Sequence, residues 1–248
     1  MSMLDIRNLD KSFGALHVSR DITLSVGTDD CHALIGPNGA GKTTLIHQIS
    51  GVLKPDAGQV MLDGRDISAL TVSGRVQAGL GRTFQITSVL PSFTALENTA
   101  IAAQAKSGSS MRFFASAASE AALNEAAHAT LLRVGLGDRT HIPAADLSHG
   151  ELRLLEIAIA LAAKPKFLLL DEPMAGLGRS ESAALITLLA DLRGTLPMLL
   201  VEHDMNAIFQ LANVVSVLVD GAVVASGTPD EVRASPAARA AYLGEGAA

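Results

Sequence analysis

Followed as a pattern of apolar and polar positions, the chain changes period several times. Residues 4–9 and 21–26 run in β-type side chains, and Cys31-His32-Ala33-Leu34-Ile35 is almost wholly apolar. This predicts three short strands, separated by polar or glycine breaks such as Gly27-Thr28-Asp29-Asp30. Over residues 42–53 the spacing turns helical and Lys54-Pro55 ends it; residues 59–62 predict another strand, closed by the Asp63-Gly64 turn. Between residues 90 and 163 strand signals nearly vanish, and Ala, Leu and Glu dominate 120–134 and 152–163, which predicts a helical subdomain. β-type runs return at 167–170, 198–201 and 214–219 with helical segments between them, the alternation of a mostly parallel sheet covered by helices. Asp220-Gly221 reads as a hairpin turn and Thr228-Pro229-Asp230-Glu231 as a capping box opening a short C-terminal helix. Ser107-Gly108-Ser109-Ser110 reads as a flexible connector. Met111-Arg112-Phe113-Phe114 after it reads as a core segment, or alternatively as a docking element, and no site is assigned there. There is no internal repeat.

Composition narrows the picture. A chain of 248 residues with 48% hydrophobic side chains, few aromatics and no Trp fits an Ala/Leu/Val-rich α/β globule. A formal charge of −6 and the lack of a Lys/Arg run argue against nucleic acid as a partner. Cys31, the single cysteine, cannot pair within the chain and is expected as a small buried thiol in a reducing compartment. No apolar run approaches the roughly 20 residues that span a bilayer, and Met1-Ser2-Met3-Leu4-Asp5 lacks a basic stretch leading into an apolar one. The expectation is a soluble, unexported chain whose apolar character suits contact with a membrane-embedded partner.

Candidate chemistry starts at Gly36-Pro37-Asn38-Gly39-Ala40-Gly41-Lys42-Thr43-Thr44, which matches G-x-x-x-x-G-K-[ST] between a predicted strand and a predicted helix. Glycines let backbone N–H groups curl around phosphates, the helix N-terminus adds positive potential, Lys42 reaches the β- and γ-phosphates, and Thr43 is a Mg²⁺ ligand. A nucleoside triphosphate is the expected ligand. Phe167-Leu168-Leu169-Leu170-Asp171-Glu172 is an apolar strand ending in two acids, at the sheet edge where α/β proteins place ligands. Alone it would be an ordinary solvated turn. Beside the loop it reads as a Mg²⁺ carboxylate, Asp171, followed by a general base, Glu172.

Leu147-Ser148-His149-Gly150-Glu151-Leu152-Arg153 resembles the L-S-G-G-Q signature of ATP-binding cassette (ABC) proteins and stands upstream of Asp171 as it does there. Ser148 with Glu151 is also a capping box, and the readings are compatible because a helix N-terminus is itself an anion site. His149 and Glu151 depart from the commonest spelling. Gln85, in Arg82-Thr83-Phe84-Gln85, and His203, in Val201-Glu202-His203-Asp204, complete the pattern in order. The resemblance implies that Gln85 senses Mg²⁺ and the attacking water, that His203 contacts the γ-phosphate, and that Ser148 and Gly150 bind the nucleotide. It also implies that Phe13 stacks on adenine, the alternative being an ordinary core Phe. Met174-Ala175-Gly176-Leu177-Gly178 occupies the D-loop position with Gly178 where Asp or Asn is often found. His17, His32, His47, His128 and His141 show no metal-ligand spacing.

The resemblance covers essentially the whole chain. It implies one ABC ATPase domain: an α/β P-loop NTPase with a RecA-like, mostly parallel sheet core (1–88 and 164–226), an N-terminal antiparallel β portion, an inserted α-helical subdomain (89–163) and a C-terminal helical tail (227–248). Finer spellings in 51–58, 81–85, 201–205 and the tail Ala240-Ala241-Tyr242-Leu243-Gly244-Glu245 look like the ATP-binding subunits of branched-chain amino-acid importers. The family sandwiches each ATP between one chain's loop and another's signature. The implied partners are therefore a second ABC ATPase subunit, transmembrane permease subunits, the permease contact involving the segment after Gln85 and residues 90–104, and indirectly a substrate-binding protein. The implied place is peripheral, on the cytoplasmic face of the membrane. The alternatives are an ABC ATPase for another small solute, such as urea or an amide, or a soluble ABC ATPase outside transport. A soluble ABC ATPase of repair or translation would generally add coiled coils, zinc motifs or a fused second cassette. A nucleotide kinase or GTPase would leave Ser148 idle, and no guanine-reading N-K-x-D is present. Glu172 and His203 argue against a scaffold that does not hydrolyse.

Overall fold

In the computed structural model, residues 2–83, 89–107 and 121–240 are described. Two sheets divide the strands. β1 (Ser2–Phe13) and β2 (Leu16–Gly27) form a long hairpin that β4 (Ala57–Leu62) and β5 (Arg65–Asp66) extend in the antiparallel order β2-β1-β4-β5. The second sheet has the order β10-β9-β3-β8-β7-β6, from β3 (Cys31–Ile35), β6 (Leu80–Arg82), β7 (Phe167–Asp171), β8 (Met198–Val201), β9 (Val214–Val219) and β10 (Ala222–Gly227). It is parallel except for β10, joined to β9 by a tight turn with Asp220 and Gly221 both at positive φ.

Successive side chains of a strand point to opposite faces, and here both faces are covered. On β7, Phe167 and Leu169 pack toward α1 (Lys42–Ser50) and the antiparallel sheet, with Leu45, Ile46, Ile49, Leu4, Ile6 and Val60. Leu168 and Leu170 pack the other way, among residues of α4 (Ala121–Arg133), α5 (His149–Ala162) and α6 (Arg179–Leu192). β8 splits identically, Leu199 and Val201 against Met198 and Leu200. At the other end of the sheet, Ala33, Ile35, Val215 and Val217 cover α7 (Met205–Leu211) and α8 (Pro229–Ala234) through Ile208 and Val232. α1 is thus clamped between two sheets, which fixes the loop that precedes it.

The hairpin β1–β2 extends well past residues 4–9 and 21–26 because its outer part is built from polar residues paired through a bulged ladder, for example Lys11 with Ser19 and Ser12 with His17. Apolar periodicity cannot report such pairing. α1 stops at Ser50, three residues before the sequence reading, because Gly51 turns left-handed at φ 82°. The helical region holds α3 (Ala95–Ser107), α4 and α5, with single 3₁₀ turns at Gly137–Arg139 and Ala144–Asp146. α2 (Val72–Ala78), β5 and β6 were not legible; β6 has three residues, too few for a period. Thr228 caps α8 through the predicted box with Glu231. Met111-Arg112-Phe113-Phe114 and residues 241–248 lie outside the described residues.

Candidate functional site

The strand ends set the stage. β3, β7 and β8 stand side by side in parallel, Leu34 level with Val201 and Val201 level with Asp171. The loops that leave them therefore emerge on one edge of the sheet. From Ile35 the chain turns into the loop 36–41. Gly36 runs so close to β9 that a Cβ there would lie 2.1 Å from the Leu218 carbonyl oxygen, and Gly41 takes φ 103° immediately before α1. Neither position accepts a side chain without strain. Ala40 N–H closes the turn on the Pro37 carbonyl at 3.2 Å. No side chain caps α1, so its first N–H groups and its dipole are offered to an anion.

Lys42 Nζ spans the loop, donating to the carbonyls of Gly36 at 2.7 Å and Pro37 at 3.0 Å. Burial lowers its pKa, and the carboxylates of Glu172 and Asp171 oppose that. Residues 38–44, Val18 and Glu172 line one open cleft of about 210 Å³. Among the phosphate-loop residues, Thr43 is exposed at the cleft and Asn38 and Gly39 form its outer rim.

Asp171 ends β7 and is 1% exposed. Neither carboxylate oxygen has a hydrogen-bond partner, and the Arg82 guanidinium stands 3.7 Å away. Burial raises its pKa; Arg82 works against the shift and the Glu172 charge adds to it. A buried carboxyl group with both oxygens unsatisfied costs several kcal/mol unless something positive completes it. That fits a divalent cation. Among the described residues no group of three or more His, Cys, Asp or Glu side chains gathers. Among the described residues the Asp171 carboxylate and the hydroxyl of Thr43 could serve as oxygen donors, which suits Mg²⁺, an ion that keeps phosphate and water oxygens in its shell.

Glu172 sits at φ 47°, left-handed backbone that costs a non-glycine residue about 1–2 kcal/mol. Its N–H is held by the Val201 carbonyl at 2.9 Å, so the turn off β7 is pinned to the neighbouring strand and the side chain reaches the cleft. Strain fixed in this way is found at sites that need a set geometry. His203 follows β8, its side chain 65% exposed and 3.8 Å from Glu202.

Glu202, which sequence reasoning passed over, is the buried hub of this edge. One oxygen accepts the Met174 N–H at 2.8 Å, and the other accepts those of His203 at 2.9 Å and Asp204 at 3.3 Å. It ties the loop after β7 to the loop after β8. Its side chain is fully buried; a lone Glu after an apolar run gives no such signal. Val18 was also missed: its carbonyl crowds Gly41 and Gly221, a closeness visible only in three dimensions.

The signature segment stands apart. Ser148 caps α5, its hydroxyl accepting the Glu151 N–H while Glu151 accepts the Ser148 N–H, and Arg139 holds Glu151 at 2.6 Å. Gly150 presses so closely on α6 that a Cβ would meet the Glu181 carboxylate. Gly150 belongs to a second cavity, walled by Leu154, Leu177 and Glu181, which shares no residue with the phosphate-loop cleft. Gly178, lacking a capping side chain, donates its N–H to Glu181 at 2.9 Å. Phe13 closes β1 half exposed, with Lys11 Nζ 5.5 Å from its ring centre; the core reading of this residue does not hold. Cys31 is buried and its thiol is pushed up to about 12 by burial. Gln85 lies outside the described residues.

Comparison with known proteins fits this geometry. Residues 19–175 match the family described as ABC transporter, and residues 222–248 match the one described as branched-chain amino acid ATP-binding cassette transporter. The high-affinity branched-chain amino acid transport ATP-binding protein LivG of Salmonella typhimurium is 35% identical, with 98% of each chain covered. The lipopolysaccharide export system ATP-binding protein LptB of Haemophilus influenzae is 34% identical over 99% of this chain and 98% of its own. Among solved structures, the ADP conformation of an ATP-binding cassette of an ABC transporter superposes with a TM-score of 0.87 at 29% identity, covering 99% of this chain and 100% of that one. With the α/β P-loop NTPase fold and the matches agreeing over nearly its whole length, the chain belongs to the ABC transporter family and is one of its nucleotide-binding ATPase subunits.

Proposed function

We propose that the chain hydrolyses ATP as one half of a cassette pair and drives import of branched-chain or related amino acids through membrane permease subunits. The observation that carries the pairing is the separation of two anion-binding helix ends: the loop at α1 and the signature at α5 line different cavities. A nucleotide in the first is left open on the side where a second chain's Ser148 and Gly150 would close it. In this reading residues 36–44 bind the phosphates and Phe13 stacks on the base. Glu172 takes the proton of the attacking water and His203 contacts the γ-phosphate. Thr43, Asp171 and Gln85 hold Mg²⁺, which supplies neutralisation of phosphate charge when bound. The division into core (1–88, 164–226), helical subdomain (89–163) and tail (227–248) belongs to the same proposal, as does a peripheral place on the cytoplasmic face of the membrane. No described helix is long and apolar enough to cross a bilayer.

The amino-acid reading is supported by the C-terminal family match and by relatives named for branched-chain amino-acid transport. A second reading, export of a lipid-linked glycan, has the LptB relatives in its favour. Purification of the chain with its neighbours from membranes separates the two. The import reading expects permease subunits, a second cassette and ATPase activity that rises with a binding protein loaded with Leu, Ile or Val. Activity responding to lipopolysaccharide supports export. Recovery without any integral membrane protein, even after crosslinking, overturns both.

A further inference from the structure

Arg82 is nearly buried at the end of β6 and reaches two elements at once. Its Nη1 donates to the Ser50 hydroxyl at 2.7 Å, and its Nη2 stands 3.7 Å from Asp171 Oδ2. The guanidinium and the carboxylate are 7% and 1% exposed. Ser50 is the last residue of α1, whose first turn carries Thr43. The next residue after Arg82, Thr83, donates its N–H to the Leu169 carbonyl at 3.0 Å, so the base of the Arg82 side chain is fixed to β7 two residues before Asp171.

This geometry matters because two of the proposed protein donors for the cation, Thr43 and Asp171, come from different elements. Thr43 travels with α1; Asp171 travels with β7. At its C-terminal end α1 also brings His47 within electrostatic reach of the Asp171 carboxylate, but the hydrogen-bonded link from Ser50 runs through Arg82. The long contact to Asp171 leaves both oxygens without a hydrogen bond, so Arg82 balances the buried charge without occupying the lone pairs a cation would use. A planar guanidinium suits this, since its fork can make a directed bond on one side while standing off a charge on the other.

We propose that Arg82 is a positioning residue for the metal side of the ATPase site, bridging Ser50 of α1 to Asp171 of β7 and thereby setting the separation of Thr43 and Asp171. The proposal rests on the assignment of Asp171 as the Mg²⁺ carboxylate. Partners that orient a metal ligand typically change metal affinity by about 10- to 100-fold when removed.

The test titrates Mg²⁺ into the full chain with a fluorescent ATP analogue, recording nucleotide binding rather than turnover, and repeats the nucleotide titration in EDTA. Arg82→Met should raise the half-saturating Mg²⁺ about 10-fold and leave binding in EDTA unchanged. Ser50→Ala, which keeps the guanidinium but cuts its anchor, should shift Mg²⁺ in the same direction by a smaller factor, and it guards against misfolding of the Met variant. A silent Ser50→Ala together with tighter Mg²⁺ binding in Arg82→Met would mean that Arg82 is a competing charge, overturning the proposal. Loss of thermal stability in both variants with Mg²⁺ dependence unaltered would also overturn it. Asp171→Asn tests the underlying assignment separately: wild-type Mg²⁺ dependence in that variant sinks the carboxylate reading itself.

Discussion

Glu172 shows how much of a residue's role lies in its backbone. At φ 47° with its N–H held by Val201, the side chain is carried off the strand into the cleft, while Asp171, one position earlier, stays buried in the sheet edge. Two adjacent acids thus receive different environments, which suits the different work proposed for them. Substituting Glu172→Gln keeps the size and the turn. It should retain ATP binding, lower hydrolysis by at least about 100-fold and trap a closed dimer visible by size-exclusion chromatography with ATP; wild-type turnover would remove Glu172 from the role of base. Both acids were legible in the sequence because an apolar strand ending in Asp-Glu is a local pattern. Glu202 was not, since its value lies in three backbone N–H groups that the fold brings to it from two loops. For Phe13 the structure decides only one thing: its exposure excludes the core role that the sequence left open.

At the scale of elements, the proposed pairing gives the cap of α5 a second function beside closing its helix. Ser148 satisfies the helix N-terminus and is the residue offered to a partner's nucleotide in the proposed pair. Ser148→Ala should cost about 1 kcal/mol, a fall in melting temperature of roughly 2–4 °C for a chain of this size. In the same variant the proposed pairing predicts near-complete loss of ATPase activity with nucleotide binding by the isolated chain retained. Unchanged activity would mean that the signature serves only as a cap. Ser148 with Glu151 could be read from spacing alone, as could Thr228 with Glu231, because a capping box closes within one turn. The outer half of β1–β2 could not: its residues are polar, and only the pairing with the opposite strand makes them a ladder. β6 failed for a related reason, being three residues held by β7.

At the scale of the molecule, burial makes the sheet sensitive to acid. His32 on β3 is 1% exposed, bonded through Nε2 to Ser216 on β9 at 2.8 Å, and Ser216 continues to Ser226 on β10. Burial pulls its pKa down to about 4, with Asp30 and the Ser25 backbone opposing. A histidine with a depressed folded pKa leaves the unfolded chain binding more protons. Its stabilisation is therefore present above about pH 6.5 and lost as pH falls toward 4. From pH 7 to pH 5 this amounts to about 2 kcal/mol, or roughly 5 °C in melting temperature. Glu156 and Asp171, whose pKa values burial raises, act in the opposite direction. Thermal melts at the two pH values, compared with His32→Gln, check the assignment: the variant should lose most of the difference, and an equal fall in both proteins would place the acid sensitivity elsewhere.

What the sequence determined by itself was written within one element or one turn: the phosphate loop and the start of its helix, the acidic end of β7, the capped signature, the hairpin turn at Asp220-Gly221 and the alternation of the longer buried strands with helices. Those features are local because the hydrogen bonds and steric limits that define them act between near neighbours in the chain. Only the tertiary structure decided that Gly36 must pass under Leu218, that Glu202 joins two loops, that Arg82 reaches both α1 and β7, and that loop and signature line separate cavities. Each of these depends on atoms brought together by burying both faces of one sheet, and that driving force is not directional: it rewards coverage of apolar surface without specifying in any short stretch of sequence which distant backbone will arrive there.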